Sequence, residues 1–260
     1  MYQPVVPTGG IAGWRFLERT LDTQREAFAA SAGSQRAMDH FRERIGTIET
    51  AEQLVGDRRL REVALAAFGL ESDIDSIFYV RKMLEDGTRD PGSLANRTAD
   101  RRYREFSRAF GFDEPGGPNT QVPGFADRIL ARFTERSFET AVGAVDDTMR
   151  IALNGRREMT AIGASEASDD SKWFTIMGTP PLRKLLEGAL GLPESFGAVD
   201  LDRQLVEFRR RAEATFGTSD VAELAGEETL SRMIDVYLVR AAATGGTGPT
   251  SPALQLLRGF

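Results

Sequence analysis

The chain has 260 residues, long enough for one large domain or two small ones whose core needs neither disulfides nor metal. Hydrophobic residues make up 41% and charged residues 28%, the balance of a globular protein rather than a disordered one. The net charge of −6 disfavours a chain whose main task is holding nucleic acid, and the absence of cysteine removes disulfides, thiolate nucleophiles and cysteine-ligated zinc together.

Of the 33 basic residues only Lys82, Lys172 and Lys184 are lysine. Arginine suits bidentate carboxylate pairing and interfaces, although codon usage explains the bias more simply. No stretch of about 20 apolar residues offers a membrane span, and Met1-Tyr2-Gln3-Pro4 lacks the charged start and apolar run of a secretory signal. The expectation is a cytoplasmic protein, or one that leaves the cell by a route without a cleaved signal.

After an irregular start containing Pro4, Pro7, Gly9 and Gly10, Ile11 to Ala30 reads as a helix with Trp14, Leu17 and Leu21 on one side. Ser31 to Ser34 reads as a loop, and Arg36 to Ile45 as a short helix carrying Met38, Phe41 and Ile45. Thr50 is placed to cap the next turn.

From there a pattern recurs. Asp57-Arg58-Arg59-Leu60 leads to Phe68-Gly69-Leu70, and Asp100-Arg101-Arg102-Tyr103 leads to Phe110-Gly111-Phe112. Pro180-Pro181-Leu182-Arg183 leads to Leu190-Gly191-Leu192, and a looser fourth segment runs from Phe208 to Phe216-Gly217. Asp57 and Asp100 read as N-caps, Pro180 or Pro181 as a first-turn residue, and the four glycines as left-handed stops. A larger echo follows: Asp73-Ile74-Asp75 precedes a helix to Glu85, and Asp200-Leu201-Asp202 precedes a helix to Phe216, as if two helix–loop–helix units were duplicated.

Pro115, Gly116, Gly117, Pro118 and Pro123 mark residues 113–124 as a linker. Phe125 to Leu153 or beyond then reads as one long helix. Gly226 to Ala243 reads as a last helix, striped by Leu230, Met233, Ile234, Tyr237 and Leu238, before a glycine- and proline-rich tail. No segment alternates as a strand does, so the fold expected is all-α with no β-sheet. It is a multi-helix array of repeated helix–loop–helix units, with about half to two-thirds of the residues helical. The expected divisions are an N-terminal helical subdomain (1–112), the linker (113–124), a C-terminal helical subdomain (125–243) and a mobile tail (244–260).

No catalytic, metal or cofactor site emerges from the residues. His40 is the only histidine, so no histidine-rich metal site can form, and beside Asp39 it reads as a boundary residue. Asp73-x-Asp75 and Asp200-x-Asp202 could pair on a divalent ion, but both sit where helices begin, and capping explains them without a ligand. The glycine-rich Gly9 to Gly13 and Thr244 to Gly248 follow no strand and lack the lysine of a phosphate loop. Glu166, Asp169, Asp170 and Glu194 read as loop carboxylates whose pairing chance explains.

Arg58-Arg59-x-Arg61 and Arg101-Arg102-x-Arg104 put cations in a first helical turn, against the macrodipole, so something must compensate them. Arg58 and Arg101 are therefore candidate partner contacts, the alternatives being a solvated face or a reach back to the preceding helix's carbonyls. Arg209-Arg210-Arg211 reads as solvated charge. Trp14, Phe16 and Leu17 are the other candidates, for a first helix that packs either on its own chain or on another protein.

Several of these segments, in this order, resemble the bacterial family named domain of unknown function 1217, whose members occur in flagellar gene clusters of alphaproteobacteria. The likeness is carried by Gly13-Trp14-Arg15-Phe16-Leu17-x-Arg19-Thr20, by Asp57-Arg58-x-Leu60 through Ala67-Phe68-Gly69-Leu70, and by Leu94-Ala95-Asn96 through Asp100-x-Arg102-Tyr103 to Ala109-Phe110-Gly111-Phe112. It continues in Pro181-Leu182-Arg183 through Leu190-Gly191-Leu192-Pro193, Phe196-Gly197 and Asp200-Leu201-Asp202-Arg203-Gln204. The resemblance implies an all-α fold, a flagellar association and no catalytic residues to carry over.

The expectation is a non-enzymatic helical protein of flagellar assembly, structure or motility. It would act through contacts with flagellar or export-apparatus proteins, without cofactor or nucleic acid, in the cytoplasm or after export through the flagellar channel. Two classes compete with it. An enzyme built on scattered carboxylates and arginines would show a deep pocket with perturbed acids. A nucleic-acid-binding regulator would bring the three arginine clusters onto one face.

Overall fold

The aspartate, proline and glycine punctuation of the sequence becomes a set of helix ends. The computed structural model describes residues 2–98 and 100–245, and among these lie fourteen α-helices and no strand. They are α1 (Gly10–Ala29), α2 (Ala32–Arg44), α3 (Ala51–Gly56), α4 (Arg58–Ala66), α5 (Ile77–Asp86), α6 (Leu94–Arg97) and α7 (Arg101–Phe110). After them come α8 (Phe125–Gly143), α9 (Asp147–Gly163), α10 (Asp169–Met177), α11 (Pro180–Leu190), α12 (Leu201–Phe216), α13 (Val221–Leu224) and α14 (Glu227–Gly245). The fold is all-α, and helix is more abundant than expected: α10 forms where the sequence suggests loop carboxylates, and α6 and α13 form where it assigns no helix. The tail expected over 244–260 lies, from residue 246 on, outside the described residues.

The caps follow the sequence closely. The Thr50 hydroxyl accepts from Gln53 N–H (3.2 Å) while the Gln53 side chain accepts from Thr50 N–H (3.2 Å), a reciprocal box that opens α3. Asp57 Oδ1 accepts from the N–H groups of Arg59 (2.9 Å) and Leu60 (3.2 Å) to start α4, and Asp100 does the same for α7 through Arg102 N–H (3.0 Å). At the other ends Gly69 and Gly191 take φ of +70° and +65°. Leu70 N–H then reaches Leu65 O (3.0 Å), and Leu192 N–H reaches Glu187 O (2.8 Å), so both helices close in the same six-residue turn.

Three expectations about helix ends change. Ser31 caps α2 directly, so the helix begins at Ala32 rather than after a loop. The single helix expected from Phe125 is two, because Asp146 Oδ1 accepts from Thr148 N–H (2.8 Å) and Met149 N–H (3.3 Å) and restarts the chain after Gly143. The two Asp-x-Asp pairs also differ. Asp200 caps α12 through Asp202 and Arg203 N–H, whereas Asp73 ends a 3₁₀ turn and its carboxylate accepts from the Tyr103 hydroxyl.

The chain divides into two units, one holding the residues up to Val5 with Thr20–Ala141, the other Val6–Arg19 with the residues from Val142 on. The first takes the second half of α1, α2–α7 and α8 up to Ala141. Its core joins Phe41, Leu54, Leu60 and Val63 to an aromatic run in which Phe68–Phe106 (5.4 Å), Phe106–Phe110 (5.1 Å) and Phe110–Phe125 (5.3 Å) meet edge-on. The division expected at 113–124 thus differs from the observed grouping. Phe125, Ile129 and Leu130 belong to this core, and the buried Thr120 hydroxyl donates to Ile48 O (2.6 Å), which ties the proline-rich segment to it.

In the second unit α11 packs against α9, α10, α12 and α14. Two glycines permit the approach. A Cβ on Gly155 would stand 2.3 Å from Leu185 Cδ2, and one on Gly188 would stand 2.6 Å from the Tyr237 ring.

Candidate functional site

The structure separates the five candidate contact residues. Trp14 and Leu17 are 0% exposed, and the Arg156 guanidinium lies 5.2 Å above the Trp14 ring while its Nη1 donates to Glu18 Oε1 (3.1 Å). Arg15 Nη2 reaches Asp235 Oδ2 (2.6 Å), so the start of α1 is fastened to α14 of its own unit. The apolar stripe of α1 therefore packs in cis, which removes Trp14 and Leu17 as partner contacts; Phe16 is half-buried beside them. Arg58 and Arg101 are exposed, Arg58 lying 3.0 Å from Glu62 Oε1 and 3.7 Å from Asp75 Oδ1.

Several other arginines bind the ends of helices. Arg61 is 4% exposed, and its guanidinium donates to Ile74 O (2.9 Å) and to Val55 O at the end of α3. Arg102 grips the Asp100 carboxylate (3.0 Å) and donates to Gly69 O beyond the end of α4. Arg211 Nη1 donates to Leu190 O (3.1 Å) and Gly191 O (3.2 Å), and Arg240 Nη1 to Ala189 O (3.0 Å), all at the end of α11. Those carbonyls have no intrahelical donor and carry the negative end of the macrodipole, and the planar guanidinium fork satisfies both needs. Of the cations that open α4 and α7, Arg61 and Arg102 are thus compensated by carbonyls and Arg58 by carboxylates.

Arg209 is not solvated charge either. It pairs with Asp169 and with Asp170 Oδ1 (2.6 Å), and these acids open α10 rather than lying in a loop, Asp169 Oδ1 also accepting from Val221 N–H (2.9 Å). His40 Nε2 lies 2.8 Å from Asp57 Oδ2, so the single histidine buttresses the cap of α4. Burial pushes the Asp57 carboxyl up, but His40 and the N–H groups of Leu60 and Arg59 outweigh it and hold the pKa below the ordinary value. Burial and the Asp73 carboxylate both push the Tyr103 hydroxyl upward. Among the described residues no group of three His, Asp or Glu side chains is placed to hold a metal, and no helix is long and apolar enough to cross a membrane.

One surface open to a second molecule lies in the first unit beside α3. The buried stripe of α5 is Val80, Met83 and Leu84, at helical spacing, so Phe78, two positions from Val80, points the opposite way. Phe78 is 71% exposed and Ile77 46% exposed. They border a groove of about 360 Å³ lined also by Glu52, Val55, Gly56 and Arg81. A second, polar cleft of about 590 Å³ adjoins it, lined by Arg44, Thr47, Ile48, Gln53, Gly56, Asp57 and Arg58, and Gly56 forms part of both walls. Of these residues only Arg58 stands among the contact candidates read from sequence. Phe78 was legible as a large apolar residue off the stripe of its own helix.

A search of curated proteins finds no match. The fold is similar to the crystal structure of a protein from Agrobacterium tumefaciens, with a TM-score of 0.69 and 20% identity over 91% of this chain and 97% of that one. The family described as "Protein of unknown function (DUF1217)" matches residues 67–228, a span that includes the end of α11 and the arginine-bound glycine turns at Gly69 and Gly191. The chain belongs to the DUF1217 family.

Proposed function

We propose that this chain is a non-enzymatic helical protein of flagellar assembly, structure or motility that acts by protein–protein contact through the α3–α5 surface. The observation that carries the contact is the exposure of Ile77 and Phe78 side by side on the rim of a groove. A large apolar pair left in water on a globular unit with a well-filled core is the pattern of a docking surface. The flagellar setting rests on the resemblance to a family whose members occur in flagellar gene clusters. On this reading its partners are flagellar or export-apparatus proteins, met in the cytoplasm or after passage through the export channel. The arginine clusters support contact with protein over nucleic acid, since Arg61, Arg102 and Arg211 are engaged by helix-end carbonyls and Arg209 by acids.

The test is affinity purification of the tagged intact chain from motile cells, compared with Phe78→Asp. Removing the first helix would not serve, because Trp14 and Leu17 belong to the chain's own core. Flagellar components recovered with the native chain and lost with Phe78→Asp are expected. Recovery of none, with swimming unchanged after deletion of the gene, would overturn the reading.

A further inference from the structure

The α3–α5 surface also has a chemistry that defines what it takes. We infer that it is a two-pronged peptide site, which receives an apolar side chain in the groove at Ile77 and Phe78 and a carboxylate of the same segment in the cleft at Arg44. The inference rests on the reading that this surface docks a protein, and it adds the kind of segment that docks.

The two hollows meet at Gly56, which belongs to both walls and has no side chain to stand between them. Nothing lies within 4 Å of where a Cβ on Gly56 would stand, so the space above this residue is open. An extended segment advances about 3.3 Å per residue, so anchor and acid need be only a few residues apart.

The charges of the two walls differ in how they are already matched. Glu52 lies 3.5 Å from Arg81, and Asp57 lies 2.8 Å from His40 and accepts from the N–H groups of α4, so both acids are already engaged. Arg58 shares the exposed Glu62 and Asp75. Among the described residues no carboxylate lies within ion-pair distance of the Arg44 guanidinium, which lines the cleft. The groove is apolar on the Val55 side, and the cleft beside it holds in Arg44 a cation that none of the described carboxylates pairs with. A partner segment complementary to both carries a large apolar residue followed or preceded by Asp or Glu.

The experiment selects binders to the intact, immobilised chain from a displayed library of random peptides, then measures a synthetic copy of an enriched peptide by fluorescence anisotropy. The expected winners pair a large apolar residue with Asp or Glu a few positions away. Changing that acid to its amide, or the protein to Arg44→Gln or Gly56→Gln, weakens binding about tenfold, while Arg59→Gln does not. Gly56→Gln is accommodated by open space, and melting followed by circular dichroism confirms that each variant is folded. Winners without an acid, or affinities indifferent to Arg44→Gln and Gly56→Gln, would overturn the inference. If Phe78→Asp still abolishes recovery of flagellar components in that case, the docking reading stands and only the two-pronged chemistry falls.

Discussion

The guanidinium of Arg61, on α4, donates to the carbonyl of Val55, the next-to-last residue of α3, and so closes one helix with a side chain from the next. Its Nε is bound as well, to Ile74 O at 2.9 Å, and the side chain is almost wholly enclosed. Arg61→Ala would leave two carbonyls without donors in a place water reaches poorly. The expected cost is about 2–4 kcal/mol, read as a lower urea midpoint at unchanged slope. Arg58→Ala, three positions earlier and exposed, is expected to change stability by no more than about 0.5 kcal/mol. Equal effects from the two substitutions would refute the distinction.

The pair shows where sequence reading stops. Arg58 and Arg61 are alike as letters, and only the placement of α3 and of the turn at Ile74 decides which is enclosed. Local signals were legible: Thr50, Asp57, Asp100 and Asp200 cap helices, and Gly69 and Gly191 end them, because each acts on backbone within a few residues. Asp73 defeated the same logic because its partner, Tyr103, lies thirty residues on. The break at Gly143 and Asp146 was present as a glycine and a cap, yet the apolar periodicity on both sides concealed it. The groove at Phe78 needed the burial of Val80, Met83 and Leu84 before its exposure had meaning.

Acid should unfold the chain through its caps and arginine pairs. Burial pushes Asp100 up, but Arg102 more than offsets it, leaving the carboxyl pKa below its ordinary 3.8. Arg210 and Arg211 hold Glu207 at about 2. A carboxyl depressed in the folded state contributes stability that is fully present above its unfolded pKa and is lost as pH falls through the folded one. The stability of the native chain should therefore be level near neutrality and drop from about pH 4 towards pH 2. Asp100→Asn keeps the cap oxygen but loses the ion pair with Arg102, so it should lower the neutral plateau by up to about 1 kcal/mol and make the acid limb shallower. An acid limb as steep as that of the native chain would show that Asp100 does not contribute to it.

The proline-rich segment offers a test of the two units. If residues 113–124 joined independent subdomains, a fragment beginning at Phe125 would fold alone. Because Phe125, Ile129 and Leu130 complete the core that holds Phe110, such a fragment should expose them and lose helix, seen as weaker far-ultraviolet dichroism and dye binding. In the intact chain Thr120→Val removes the donor to Ile48 O and should cost about 1–2 kcal/mol. Faster proteolytic cutting between Glu114 and Pro118 should accompany that loss. A stable fragment from Phe125 on would restore the linker as the boundary.

Two glycine substitutions of the same kind should have opposite signs. Gly33, near the start of α2, has nothing within 4 Å of a built Cβ, so Gly33→Ala gains helix propensity and reduces unfolded-state freedom, stabilising by about 0.5 kcal/mol. Gly188 lies within α11 against Tyr237, whose ring atoms would stand 2.6 and 3.0 Å from the new methyl. The ring is 4% exposed and cannot swing away without disturbing α14, so overpacking should outweigh the propensity gain and destabilise by about 1–3 kcal/mol. Combining Gly188→Ala with Tyr237→Leu should cost less than the sum of the two singles, because the smaller side chain leaves space for the methyl. A double-mutant cycle in urea measures the difference. Strict additivity would mean that α11 and α14 separate slightly to admit the methyl, and that the close approach at Gly188 is tolerant rather than required.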